Sequence, residues 1–99
     1  MSKELKDAIP VKKGTVLGVY NENYVVGLGG ENEPVYMLSP IAYYVWSLCN
    51  GESSVSDIVS IVENNLNINR QDAENIVSIV IRKLSEVGLI ALEHEKAKR

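Results

Sequence analysis

A change in hydrophobic period at Ser39 and Pro40 divides the chain into two unlike parts. Before it, short runs of β-branched and aromatic residues alternate with Asn-, Gly- and Glu-rich turns. After it, apolar residues recur every three or four positions, as on one face of a helix. Ser39 is a good helix N-cap, and Pro40 suits the first helical position because no N–H is needed there. The pattern predicts an α+β fold in which strands precede helices.

Three strands are predicted in the first part. They span residues 15–20, 24–28 and 34–38, and turn-forming residues occupy 21–23 and 29–33. Connections this short favour a three-stranded antiparallel meander. Pro34 fits the first position of a strand or an edge strand, since proline donates no backbone hydrogen bond.

Three helices are predicted in the second part. The first runs from Pro40 to a glycine cap at Asn50–Gly51, the second opens at Ser54 or Ser56, and the third spans about 70–87 before Gly88. The apolar stripe of the third helix is expected to centre near Val80 and Leu84, and its members are Ala73, Ile76, Val77, Val80, Ile81, Leu84 and Val87. Ile79 lies outside this stripe, so it is either a groove wall or an isolated surface residue.

The length of 99 residues predicts one domain. Residues 1–13 are polar, contain Pro10, and are interpreted as a flexible arm. The folded domain is assigned to residues 14–92, with 89–92 packing back as a short strand or extended segment, and residues 93–99 are assigned to a charged tail. No apolar run is long enough to cross a membrane, and the N-terminus lacks the apolar core of a signal peptide. We therefore expect a cytoplasmic protein without membrane association.

The sequence offers little for catalysis or metal binding. Cys49 and His94 are single residues of their type, so one chain cannot form a disulfide, a four-cysteine zinc site or a catalytic triad. Cys49 falls on the apolar side of a helix and is expected to be a buried, inert thiol. His94 falls among charged residues and is expected to be solvated. We predict no enzyme activity, no catalytic residue, no metal and no cofactor.

The charge distribution argues against nucleic acid as a partner. The net charge is −3, and no Lys or Arg occurs between Gly14 and Asn69. The second and third helices do satisfy the outline of a helix-turn-helix, so a winged helix-turn-helix DNA-binding regulator is one alternative. However, the base-reading half of the third helix would carry Asp72 and Glu74 against Arg70 alone. A protein-interaction domain of another kind is a second alternative.

Residues 38–51 resemble the PqqD family, named for a protein of pyrroloquinoline quinone (PQQ) biosynthesis. Leu38, Ala42, Val45, Trp46, Leu48 and Gly51 match the family pattern. Ser39 stands where the family has Asn, and Asn50 where it has Asp. The opening of the second helix and the glycine-leucine-isoleucine ending are also similar, so the resemblance covers about residues 14–92.

The resemblance implies a winged-helix-like domain that acts as a RiPP recognition element. Such a domain is a non-catalytic peptide chaperone: it binds the leader peptide of a ribosomally made precursor and presents it to a modifying enzyme, often a radical SAM protein. The peptide adds a strand beside the third strand and contacts the third helix. An exposed strand edge can accept a guest strand in this way. The implied client belongs to PQQ biosynthesis or is another modified peptide.

Eight residues are the candidate peptide-binding site under this interpretation. They are Val35, Tyr36, Met37 and Leu38 on the third strand and Ile76, Ile79, Val80 and Lys83 on the third helix. Arg82 and Lys83 are expected to hold acidic leader residues. The exposed third strand could also pair with another copy of itself, so a homodimer is possible.

Overall fold

The computed structural model describes residues 1–93 and contains four helices and five strands in that range. In chain order they are α1 (Lys3–Asp7), β1 (Ile9–Lys12), β2 (Thr15–Tyr20), β3 (Asn23–Gly27), β4 (Val35–Leu38), α2 (Pro40–Ser47), α3 (Val55–Leu66), α4 (Arg70–Glu86) and β5 (Ile90–Glu93). The α+β class and the three-stranded sheet followed by three helices are confirmed. Glu93, the first residue of the predicted tail, is the last residue of β5. Residues 94–99, which include His94, lie outside the described residues.

The main sheet has the order β2-β3-β4, and both pairings are antiparallel. Tyr24 is paired with Leu38, and Val26 with Tyr36. Leu38 and Val26 are buried, whereas Val35 and Met37 are exposed, which is the alternation expected of a sheet with one covered face. A bulge interrupts β2 between Val16 and Gly18.

Side-chain caps fix where the three long helices begin. The Ser39 hydroxyl accepts a hydrogen bond from the Ala42 N–H at 3.2 Å, as predicted. The second predicted helix, α3, opens at Ser54 rather than Ser56, because Ser54 and Asp57 form a reciprocal capping box. Asn69 caps α4, and the helix begins at Arg70 as predicted.

The end of α2 differs from the prediction. The helix stops at Ser47, before the expected cap at Asn50–Gly51. Asn50 instead bridges to Val11, and its side-chain oxygen accepts hydrogen bonds from the Glu52 and Ser53 N–H groups. Gly51 does adopt a positive φ of 81°, but it serves this turn and not the helix end.

The interpretation of residues 1–13 as a flexible arm was wrong. They contain α1 and β1, and β1 pairs antiparallel with β5 in a second, two-stranded sheet. Ala8 and Pro10 are buried, and the Val55 N–H donates to the Ala8 carbonyl at 2.9 Å. The polar side chains that suggested an arm lie mostly at the surface, while the backbone is held by partners distant in sequence. The predicted short segment after Gly88 is confirmed as the strand β5.

The core is formed by α2, α3, α4, the inner face of the sheet and β5. On α4 the buried residues are Ala73, Val77, Ile81 and Leu84. The buried stripe therefore centres nearer Val77 and Ile81 than the predicted Val80, which is only half-buried on the flank of the helix. Cys49 is fully buried, as expected. No helix within residues 1–93 is long and apolar enough to cross a membrane.

Trp46 connects three parts of this core. Its indole Nε1–H donates to the Leu89 carbonyl at 3.0 Å and lies 3.3 Å from the Lys13 carbonyl. The Lys12 ammonium lies 5.0 Å from the centroid of the same ring. One side chain of α2 therefore holds the segment between β1 and β2 and the turn between α4 and β5.

We expect Trp46→Phe to lower the free energy of unfolding by about 2 kcal/mol, because it removes this donor and leaves unfilled space. Urea denaturation followed by circular dichroism measures the change. Tyr20→Phe removes a hydroxyl from an exposed ring and should change stability by less than about 0.5 kcal/mol. Equal effects of the two substitutions would contradict the role assigned to the indole N–H.

Candidate functional site

A groove of about 370 Å³ lies between β4, the start of α2 and the C-terminal half of α4. Its walls are mostly apolar, and its lining residues are Tyr36, Met37, Leu38, Ser39, Ala42, Val80, Lys83, Leu84, Val87 and Leu89. The floor includes the buried side chains of Leu84 and Leu89. The groove is thus a shallow apolar depression with one strand along its side.

The strand beside the groove has an open edge. β4 pairs with β3 on one side, and no strand within residues 1–93 pairs with its other side. An unpaired edge presents a row of backbone donors and acceptors that can pair with another extended chain. The backbone groups along the open edge of β4 therefore lie directly beside the apolar groove.

The two faces of β4 have different surroundings. Tyr36 is half-buried and Leu38 is buried, so this face packs toward the helices. Val35 and Met37 are exposed on the outer face of the sheet, although Met37 also borders the groove. A guest strand at this edge would likewise direct alternate side chains toward the groove and toward solvent.

Lys83 supplies the only positive charge among the groove-lining residues. It makes no ion pair within the described part of the chain. Arg82, which the sequence paired with Lys83 as an anchor for acidic residues, lines a different cavity with Glu4, Leu5 and Leu92. Consecutive residues of a helix point about 100° apart, and this separates the two cations.

The structure brings together five of the eight candidate residues, namely Tyr36, Met37, Leu38, Val80 and Lys83. Val35 lies at the exposed start of β4 and does not line the groove. Ile76 and Ile79 lie along α4 outside the lining, and Ile79 is 55% exposed. The helix wall is instead formed by Val80, Leu84 and Val87. Their i, i+4, i+7 spacing was visible in the sequence, but it was assigned to the core.

The groove is also lined by Ser39, Ala42 and Leu89, which were not among the candidate site residues. Ser39 and Ala42 were recognised only as parts of a helix start. The carbonyl of Leu89 accepts hydrogen bonds from the Trp46 indole and from the Lys13 N–H, and these contacts hold the residue at the groove. They are long-range contacts that local patterns do not reveal.

Cys49 lies away from the groove in a setting unsuited to a nucleophile. Its thiol contacts the Val45 carbonyl at 3.3 Å, inside the core. Burial raises the pKa of Cys49 from 9.0 to about 12, and the nearby Lys12 opposes the shift only in part. The thiol is therefore protonated at neutral pH. Residues 1–93 contain no group of three His, Cys, Asp or Glu side chains placed to hold a metal ion.

The N-terminal half of α4 is poorly suited to DNA. Arg70 is its only cation, and its guanidinium lies 3.2 Å from the Glu63 carboxylate and 3.7 Å from the Glu74 carboxylate. The same group donates to the Ser60 hydroxyl. A guanidinium held between two acids has less charge to offer a phosphate.

A comparison with protein families finds one match over most of the folded region. The model described as "Coenzyme PQQ synthesis protein D (PqqD)" matches residues 25–90. This range begins within β3, ends at the first residue of β5 and contains every residue that lines the groove. The comparison with curated proteins returns no match.

The buried thiol leads to a pH-dependent prediction. Because folding raises the pKa of Cys49 from 9.0 to about 12, its contribution to stability is complete below about pH 9 and is lost as the pH rises toward 12. The unfolding free energy of the native chain should therefore exceed that of Cys49→Ala by an amount that shrinks over this range. Urea denaturation of both proteins at several pH values measures this difference. The other titrating groups are the same in both proteins, so their contributions cancel. A constant difference would refute the assigned pKa shift.

Proposed function

The chain belongs to the PqqD family, and on that basis we propose that it binds the leader peptide of a ribosomally synthesised precursor. Family membership makes it a peptide-binding partner in the biosynthesis of PQQ or a related peptide-derived product. In our proposal the leader adds a strand to β4 and lays alternate side chains in the groove. The observation that carries the proposal is an open strand edge directly beside an apolar groove.

The backbone of β4 would supply most of the affinity in this mode. An extended peptide placed along Val35–Leu38 forms main-chain hydrogen bonds whatever its sequence. Prolines flank β4, since Pro34 directly precedes it and Pro40, the first residue of α2, follows two positions after it. Since proline donates no backbone hydrogen bond, the added ladder is expected to be short. Selectivity must then come from side chains.

Two features of the groove would select the peptide. Its apolar wall of Val80, Leu84 and Val87 favours aliphatic or aromatic side chains at alternate positions of the guest. The positive charge of Lys83, the only cation among the groove-lining residues, favours a carboxylate on the guest. We therefore propose an extended leader segment with alternating apolar residues and at least one acidic residue.

The proposed role is presentation without catalysis. The domain would hold the leader while a separate modifying enzyme, such as a radical SAM protein, acts on the remainder of the precursor. The thiol of Cys49 supports this interpretation, because it is buried and protonated at neutral pH.

An amide NMR titration tests the proposal directly. One titrant is a synthetic peptide comprising the N-terminal half of a short peptide encoded beside the gene, and the other is duplex DNA. We expect shifts with the peptide that concentrate on Val35–Leu38 and on the Val80–Val87 side of α4, and none with DNA. Shifts along α4 and residues 1–13 with DNA alone would overturn the proposal and favour a DNA-binding regulator.

The two adjacent cations of α4 provide a matched pair of variants. Lys83→Glu should weaken binding of the same peptide about tenfold, because an attraction at the groove becomes a repulsion. Arg82→Glu makes the same charge change on the neighbouring residue, which faces the other cavity, and should leave the dissociation constant within about twofold. Isothermal titration calorimetry measures both values. An equal loss in the two variants would show that net charge, and not the groove, controls binding.

A further inference from the structure

The second edge of the main sheet, β2, is unusually exposed for an apolar strand. Its four large apolar side chains, Val16, Leu17, Val19 and Tyr20, are each between 40% and 64% exposed. Neighbouring residues of a strand point to opposite faces, so neither face of β2 is covered by the rest of the molecule. No strand within residues 1–93 pairs with its outer edge.

This edge carries the bulge between Val16 and Gly18 but lacks two other features that usually protect strand edges. Charged side chains and prolines normally discourage an edge from pairing with other chains. Residues 14–21 contain neither a charged residue nor a proline. β2 is six residues long. β4 has only four residues and a proline close to each end. Of the two open edges, β2 is therefore the better suited to pair with another folded sheet.

The outer face of the sheet extends the apolar surface away from this edge. A Cβ added at Gly27 would lie 2.9 Å from Leu17 Cδ1 and 3.3 Å from Val35 Cγ1. Leu17 therefore lies across Gly27 toward Val35, and their exposed side chains form an apolar strip across all three strands. Pairing with another sheet would extend this strip and bury part of its apolar surface.

The charges at the two ends of β2 are complementary to each other. Lys13 lies two residues before the strand and Glu22 two residues after it, and both are exposed. Neither takes part in an ion pair within residues 1–93. In an antiparallel pair of identical strands related by a two-fold axis, each copy places its basic end beside the acidic end of the other. A second copy of this chain thus supplies the matching charges twice.

We propose that the chain forms a symmetric dimer in which β2 pairs antiparallel with β2 of a second copy. The dimer contains a continuous six-stranded sheet with β4 at each outer edge. This places the self-association on β2 and not on the third predicted strand, β4, where the sequence suggested it. The dimer does not depend on peptide binding, because the groove lies at the opposite side of the sheet.

The expected dimer is weak. The bulge between Val16 and Gly18 disturbs the middle of the strand and shortens the regular edge. Pairing of two six-residue strands also buries less than a standard interface. We expect a dissociation constant on the order of 10 μM, in the range of small, transient interfaces.

Sedimentation velocity of the peptide-free protein over a wide concentration range tests this proposal. We expect the native chain to move from monomer to dimer. Val19→Lys places a charge on the β2 edge and should raise the dissociation constant at least about tenfold. Leu66→Lys adds the same charge at an exposed position at the end of α3 and should leave association unchanged. Thermal unfolding by circular dichroism confirms that the variants remain folded.

A charge exchange tests the arrangement of the two copies. Lys13→Glu and Glu22→Lys should each raise the dissociation constant about fivefold, since both attractions become repulsions, and the double variant should restore it. A native chain that stays monomeric at every concentration would overturn the proposal. So would a dimer that Val35→Lys, on β4, dissociates while Val19→Lys does not.

Discussion

The hydrogen bonds of the Trp46 indole are the constraint on which the remaining architecture depends. The donor is on α2, and its acceptors are the carbonyls of Leu89 and Lys13, at the far ends of the chain. The buried indole N–H would be costly without an acceptor, and the Leu89 carbonyl also accepts from the Lys13 N–H at 2.8 Å, so the three segments are fixed relative to one another. Leu89 consequently lies in the floor of the groove, and the chain is redirected at Lys13 toward β2. The same side chain therefore helps to position both the groove and the exposed edge.

The separate pairing of β1 with β5 explains why the main sheet keeps two open edges. Had β1 continued into the β2-β3-β4 sheet, it would have covered an edge. Instead, the turn at Gly14 has a φ of 93°, and a Cβ there would lie 2.9 Å from the Gly27 carbonyl oxygen. Only glycine fits at this turn between the two sheets, because it has no Cβ and readily adopts a positive φ. The short N-terminal strand thus pairs with β5 and leaves both edges of the three-stranded sheet unpaired within residues 1–93.

Local chemistry was enough to predict the three strands of the meander, the cap at Ser39 and nearly the full extent of α4, and it narrowed the start of α3 to Ser54 or Ser56. It failed where contacts join distant residues. β1 was assigned to an arm because its partner lies about eighty positions away. Periodicity located the apolar stripe of α4 but placed its centre near Val80 and Leu84 instead of Val77 and Ile81. Ile79, which the sequence left as either a groove wall or a surface residue, is exposed and lies outside the groove lining. Arg82 and Lys83 were expected to act together, whereas the step of about 100° between consecutive helix residues directs them to different cavities.

The two open edges differ in ways that suit different partners. β4 is short, lies between Pro34 and Pro40, and borders a groove with a lysine, so it offers a flexible peptide both backbone pairing and side-chain selection. β2 is longer, borders no such groove, and has opposite charges at its ends, so it offers little selectivity except toward its own copy. A three-stranded sheet has only these two edges. Self-association through β4 would exclude the peptide, whereas association through β2 leaves both grooves accessible. The unequal protection of the two edges therefore allows binding and assembly to occur together.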